Sequence, residues 1–127
     1  MTTQVSFSKY EQELRPALRE KINSAESTED VRKFFVYTVQ ELFKKAMEGN
    51  LDLEDEDIHL DPKGYNGFAI SQRLKGIRDF ASVWNNSDLP HIVRRMAEFA
   101  IKRHKRLLQH TDKTEAKMYP VPGKRGG

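Results

Sequence analysis

The most informative stretch of the sequence is residues 91–110, HIVRRMAEFAIKRHKRLLQH. Its apolar and basic residues separate onto two faces of a helix, and this separation indicates the fold class. At about 100° per residue, one broad face collects apolar side chains: Ile92, Val93, Met96, Phe99, Ala100 and Leu107. The opposite face collects five cations, which we call the basic stripe: Arg94, Arg95, Lys102, Lys105 and Arg106. Glu98 and Gln109 interrupt this stripe. Arg103 falls at the edge of the apolar face and His104 falls within it, so the stretch predicts an amphipathic helix with one side in the core.

The basic stripe has three interpretations. It can be a solvated face whose long side chains cover apolar surface with their stems. It can bind a polyanion, and five phosphate contacts would then give a slope of about −4 to −5 for log affinity against log salt concentration on duplex DNA. It can also be neutralised inside the protein by an acidic stretch: Asp52, Glu54, Asp55, Glu56 and Asp57. The five cations of the stripe are our candidate binding residues.

Two earlier stretches show the same helical period. The first has one apolar side: Tyr10, Leu14, Ala17, Leu18 and Ile22. Pro16 either kinks this helix or marks its start, because proline removes an interior hydrogen bond. The second starts at Ser27-Thr28-Glu29-Asp30, which offers a capping hydroxyl with acids in the first turn, and should end at Gly49 and Asn50. Its apolar face follows: Val31, Phe34, Phe35, Thr38, Leu42, Ala46 and Met47.

Residues 50–67, NLDLEDEDIHLDPKGYNG, are dense in acids and turn formers. They predict a long loop with at most a short extended piece at residues 57–60. A third helix is predicted over residues 68–84, with apolar side chains four and three residues apart: Ile70, Leu74, Ile77, Ala81 and Trp84. Part of it, AISQRLKGIRDFASVW, is similar to a helix-turn-helix with Gly76 as the turn. The apolar spacing runs through that glycine, however, and favours one continuous helix.

The fourth helix should start at a cap on Ser87 or Asp88 and continue to about His110. Residues 111–127 contain two prolines and three glycines, which predicts a flexible tail. The predicted fold class is therefore all-α. We expect a four-helix bundle-like single domain over residues 1–110, with the long acidic loop between helices 2 and 3 and a flexible C-terminal tail.

Composition limits the function classes. The chain has no cysteine, which excludes disulfides and thiol catalysis and fits a reducing cytoplasm. Its first residues lack a basic region followed by an apolar stretch, so we expect no secretory signal. The longest apolar run, FFVYTV at residues 34–39, is too short to cross a bilayer. These features predict a cytoplasmic protein without a membrane partner.

Charge is distributed unevenly along the chain. Residues 1–62 hold 8 Lys and Arg against 14 Asp and Glu, whereas residues 63–127 hold 14 against 5, so the two parts carry −6 and +9. This asymmetry indicates either an anionic partner for the second part or self-complementarity, including head-to-tail self-association.

No metal-binding motif is assembled in the sequence. An EF-hand loop counted from Asp52 needs glycine at its sixth position and glutamate at its twelfth, where this chain has Asp57 and Lys63. Asp57 and Asp61 flank His59 and would form only a weak divalent site, so a solvated acidic loop is the plainer interpretation. His104 is expected to be a satisfied, partly buried side chain rather than a ligand. We expect no metal and no cofactor.

KGYNGF, residues 63–68, frames an aromatic residue with two glycines. It lacks the pattern of a phosphate-binding loop, and the chain shows no nucleophile or zinc-protease motif. Tyr65 and Phe68 could form exposed stacking platforms, but we expect them to plug the end of the bundle.

The leading functional prediction is a small cytoplasmic, non-enzymatic helical interaction or regulatory protein that binds another macromolecule, with a protein partner ranked first. The first alternative is a nucleic-acid-binding protein that uses the basic stripe. The second alternative is a metal- or ligand-binding helical-bundle enzyme. Its functional side chains would have to converge in the fold: His59, Asp79, His91 and Glu98.

Overall fold

The computed structural model describes the backbone of residues 6–118 and the side chains of residues 6–109. The elements follow in chain order: α1 (Ser8–Ser24), α2 (Thr28–Ala46), a 3-10 turn (Asp55–Asp57), β1 (Ile58–Leu60), β2 (Phe68–Ile70), α3 (Gln72–Lys75), α4 (Arg78–Asn85) and α5 (Leu89–Met118). The chain is mostly helical, which confirms the broad class predicted from the sequence. To these helices it adds an antiparallel hairpin of β1 and β2.

The three long helices α1, α2 and α5 pack against one another in every pairing. The centre of the core is formed by fully buried apolar side chains from all five helices and β1: Ile22, Val31, Phe35, Val39, Leu42, Phe43, Ile58, Leu74, Phe80, Leu89, Ile92 and Val93. The predicted four-helix bundle is not confirmed, because the region predicted as the third helix forms a strand and two short helices instead.

The first two helices follow their sequence signals closely. α1 runs through Pro16 without ending there, so the proline lies inside the helix. The predicted capping hydroxyl of α2 is that of Ser27, whose oxygen accepts the backbone N–H of Asp30 at 3.0 Å. α2 ends at Ala46, and Gly49 then adopts a φ of +81° and donates its N–H back to a carbonyl of the last turn.

Asp88 has a different role from the predicted helix cap. Its carboxylate accepts the backbone N–H of Phe7 at 2.8 Å and the hydroxyl of Ser6 at 2.9 Å. It therefore fixes the start of α1 to the start of α5. The hydroxyl oxygen of Ser87 accepts the N–H of Leu89 at 3.2 Å and supplies the cap of α5.

The predicted continuous helix over residues 68–84 is wrong. Phe68–Ile70 forms β2, which pairs with Ile58–Leu60 so that His59 lies opposite Ala69. The short extended piece expected inside the acidic loop is thus one strand of a hairpin. Two apolar residues separated by one position fit a strand as well as the edge of a helix, so the apolar spacing alone did not distinguish them.

A second interruption of the predicted helix falls at Gly76. Ser71 caps α3 by accepting the N–H of Leu74 at 3.0 Å, and α3 ends after a single turn of four residues. Ile77 then has extended backbone, with φ −76° and ψ 116°, before α4 begins. Glycine weakens a helix interior, and here it marks a true break.

Asp57 fixes the start of the hairpin to α3. It is 2% exposed, and its carboxylate accepts the hydroxyl of Ser71 at 2.6 Å, the backbone N–H of Glu54 at 2.8 Å and the guanidinium of Arg73. Arg73 also donates to the carbonyl oxygen of Asp52 at 2.8 Å. These donors, Arg73 first, lower the pKa of Asp57 to about 2.

α5 continues past the predicted end at His110 and reaches Met118. Residues 119–127, the rest of the predicted flexible tail, lie outside the described residues. Within the described part of the chain, no helix combines the length and the apolar character needed to span a membrane.

We expect the ionised Asp57 to stabilise the fold by about 2 kcal/mol at neutral pH, since its pKa is about 2 against an ordinary 3.8. A depressed pKa gives stability that is present above pH 3.8 and is lost as the pH falls through about 2. In urea unfolding, Asp57→Asn should therefore lower the free energy of unfolding at neutral pH. The difference in this free energy between the variant and the unmodified protein should decrease toward pH 2. Asp55→Asn is the control, because Asp55 is exposed, and it should change the free energy of unfolding little. A loss of stability in Asp57→Asn that does not depend on pH would contradict the ion pair.

Candidate functional site

All five residues of the basic stripe are exposed on α5. From Arg94 to Arg106 the stripe extends about 18 Å along the helix axis, at about 1.5 Å per residue. His91, Glu98 and Gln109 are exposed on the same face. The helix therefore presents a long, mainly cationic side to solvent.

The opposite face of α5 lies in the core. Met96 and Ala100 are buried, and Phe99 and Leu107, which we expected there, are half-buried at its edge. His104 is also buried, and its Nδ1 has no hydrogen-bond partner among the described residues. Burial, and to a smaller extent the charge of Arg32, lower the pKa of His104, which favours its neutral form. Its position on the buried face places it outside the stripe.

Arg95, a member of the stripe, forms an ion pair with another helix of the protein. Its Nε and Nη2 donate to the two carboxylate oxygens of Glu11 on α1, each at 2.8 Å. Glu11 is only 5% exposed, and the hydrogen bond from Arg95 is the main reason that its pKa is lowered. This bidentate pair joins α5 to α1. The other members of the stripe form no ion pair with the described residues and are called the unpaired cations below: Arg94, Lys102, Lys105 and Arg106.

The acidic stretch does not neutralise the stripe. Asp57 and Glu54 contact Arg73 instead. Among residues 6–109, no carboxylate forms an ion pair with any of the unpaired cations. The interpretation of internal neutralisation is therefore wrong for the described residues, and a solvated face and a binding surface are the interpretations that remain.

The hairpin meets α5 at the Arg94 end of the stripe. Gly67 has a φ of +83°, and a Cβ atom there would lie 3.0 Å from Ile101 Cδ1 and 3.3 Å from Ala97 Cβ. A residue without a side chain thus permits the close approach. Tyr65, at the tip, is 89% exposed, and its ring centre lies 5.6 Å from the guanidinium carbon of Arg94. The expectation that Tyr65 plugs the end of the bundle is wrong.

A surface cleft of about 380 Å³ lies where the hairpin, α3, α4 and the first turns of α5 meet. Two aromatic side chains form much of its apolar wall: Phe68 and Trp84. Its polar lining comes from four side chains: Asn66, Lys75, His91 and Arg94. No acidic side chain belongs to the lining, as far as the described residues go. Arg94 belongs to both the cleft and the basic stripe, so the two form one continuous surface.

The residues considered for a metal-binding enzyme do not come together inside the fold. All four are exposed: His59, Asp79, His91 and Glu98. In the part of the chain with described side chains, no three His, Cys, Asp or Glu residues form a group that could hold a metal ion.

Sequence reasoning identified Arg94 as a binding residue but did not predict that it forms a cleft with Lys75, Trp84 and His91. Lys75 lies on α3 and Trp84 on α4, and the turns between these helices and α5 bring both residues to the cleft beside Arg94. His91 lies on α5 itself, one helical turn before Arg94. The available signal was Asn66-Gly67 between two short apolar segments, which is typical of a turn between antiparallel strands. Comparison of the chain with protein-family models, curated proteins and solved structures finds no match.

The pair of Glu11 and Arg95 gives a prediction about stability. We expect Glu11→Gln to lower the free energy of unfolding by about 1–2 kcal/mol, since it removes a charge-assisted pair between a buried carboxylate and an exposed arginine. Glu13→Gln is the matched control, because Glu13 is exposed and lies 3.9 Å from Lys45; it should change stability by less than about 0.5 kcal/mol. Equal effects in chemical denaturation would contradict the structural role of Arg95.

Proposed function

We propose that this protein is a non-enzymatic interaction protein that binds nucleic acid through the unpaired cations of α5. The observation that carries the proposal is their lack of an ion-pair partner among the described residues, although the chain also holds an acidic stretch of five carboxylates. Exposed cations on a rigid helix attract phosphate groups and release the counterions condensed on the nucleic acid.

The dimensions of the surface suit a short segment of a nucleic acid. The unpaired cations span about 18 Å, and phosphates along one strand of a duplex are about 3.4 Å apart along the axis, so several phosphates face the helix at once. The side chains are of the type that contacts phosphate and carries no sequence information by itself. The proposed binding is therefore general in sequence and sensitive to salt.

An acidic protein surface would use the same cations, and the sequence alone ranked a protein partner first. The aromatic groups at the Arg94 end favour nucleic acid. Tyr65 is exposed beside Arg94, and Trp84 lines the adjoining cleft. Cations that continue into aromatic side chains are the combination by which proteins hold single strands, with phosphates on the cations and bases on the rings.

A triple change tests this proposal: Lys102→Gln, Lys105→Gln and Arg106→Gln. On a labelled random single strand of about ten nucleotides, affinity should fall and the slope of log affinity against log salt should flatten by about 2, since each lost phosphate contact contributes about 0.7. Fluorescence anisotropy across a salt series measures both quantities. Thermal stability should stay nearly unchanged, because the three side chains are exposed.

The matched control replaces three exposed lysines outside α5 by glutamine, which alters the net charge equally: Lys9, Lys33 and Lys44. The control should keep the slope of the unmodified protein within experimental error. If the control and the triple change weaken binding equally, net charge rather than the stripe is responsible. If the unmodified protein binds neither a single strand nor a duplex at low salt, the proposal is overturned, and an acidic protein becomes the partner to seek.

A further inference from the structure

The cleft beside the hairpin has a rigid aromatic wall. Trp84 is half-buried, with Phe80 stacked on it at 5.6 Å and an interplanar angle of 23°. Phe43 and Phe68 meet the indole edge-on at 5.8 and 6.0 Å. Three aromatic neighbours hold the indole in one orientation, so a planar ligand that packs on it loses little side-chain freedom of the protein.

The rest of the lining is suited to an anion. Lys75 and Arg94 are both exposed cations that line the cleft from different elements, and His91 lies one helical turn before Arg94. Asn66 adds a side-chain amide, which can both donate and accept hydrogen bonds. A mostly apolar wall with a few converging polar groups is the usual composition of a small-ligand site.

A ligand that matches this lining has a flat, polar aromatic ring and a negative charge next to it. A nucleotide has both. Its base can stack on one of the two rings, Trp84 or Phe68, and meet the other edge-on, while its phosphate lies near Lys75 and Arg94. We propose that the cleft binds one nucleotide unit in this way. Paired bases inside a duplex remain stacked and cannot enter, so the cleft requires an unpaired base.

This inference rests on the proposed function for the origin of the nucleotide. Arg94 connects the cleft to the basic stripe, so a single strand can lie along α5 and insert one base at the hairpin end. A free mononucleotide offers the same chemistry without the strand. The structure assigns the strand as the source, because the unpaired cations continue from the cleft for several phosphate spacings.

Trp84 is the chain's single tryptophan, so its fluorescence reports directly on the cleft. The probes are adenosine 5′-monophosphate, an unlabelled single strand of about ten thymidylates and a blunt random duplex. We expect the single strand to quench Trp84 strongly at low salt and the mononucleotide to quench it more weakly. The duplex should leave the fluorescence nearly unchanged even where a separate anisotropy assay shows that it binds.

A double change, Lys75→Gln with Arg94→Gln, should reduce the affinity of the single strand at least about tenfold and flatten its salt slope by about 1.4. Both side chains are exposed, and circular dichroism verifies that the fold is intact. Lys44→Gln with Arg78→Gln is the matched control. Both residues are exposed and lie outside the cleft, and the two substitutions remove the same charge. This control should bind like the unmodified protein.

The outcomes separate the two proposals. A single strand that binds by anisotropy without quenching Trp84, and equally well to the Lys75 and Arg94 variant, overturns the cleft as a nucleotide site and leaves the proposed function standing. If the mononucleotide quenches Trp84 but no strand binds, the cleft is a nucleotide site. That result overturns the proposed function and the inference that the nucleotide belongs to a single strand. Absence of quenching by all probes overturns the inference.

Discussion

The helical period of α5 is the constraint on which the rest of the structure depends. It places Ile92, Val93 and Met96 on the arc that closes the core, and the same geometry forces the unpaired cations to the other side. One edge of the helix is held to α1 by the ion pair between the buried Glu11 and the exposed Arg95, and the other edge is covered by the hairpin. The exposed basic surface is what these contacts leave open, so stability and the proposed binding belong to opposite faces of one helix.

The hairpin converts this helix face into a site with two parts. Asp57 fixes one strand to α3 through Arg73, and Gly67 allows the chain to approach α5 closely enough to bring Tyr65 to Arg94. Two acids of the acidic stretch, Glu54 and Asp57, contact Arg73 in this way and have a local structural role. The proposal follows from this division: Glu54 and Asp57 organise the hairpin, while the unpaired cations of α5 have no ion-pair partner among the described residues.

The sequence predicted the structure well where one helix has a core face and a solvent face. It predicted the structure less well where segments distant in the chain contact one another. α1, α2 and most of α5 were predictable from apolar spacing and from the cap at Ser27, because these signals are local. The hairpin was missed because β1 and β2 have three residues each, too few for a period of two to stand out from a helical one. The role of Arg95 and the grouping of Lys75 with Trp84 depend on tertiary contacts, which no spacing along the chain records.

The most direct test of the account is a titration of isotope-labelled protein with a thymidylate decamer, followed by backbone and indole N–H chemical shifts in NMR. The account predicts the largest changes along the exposed side of α5 between Arg94 and Arg106, at the hairpin tip around Tyr65 and at the indole of Trp84. Signals from the outer surfaces of α1 and α2 should remain nearly unmoved. Changes concentrated on those outer surfaces, or no changes at low salt, would contradict the assignment of α5 and the cleft as the binding surface.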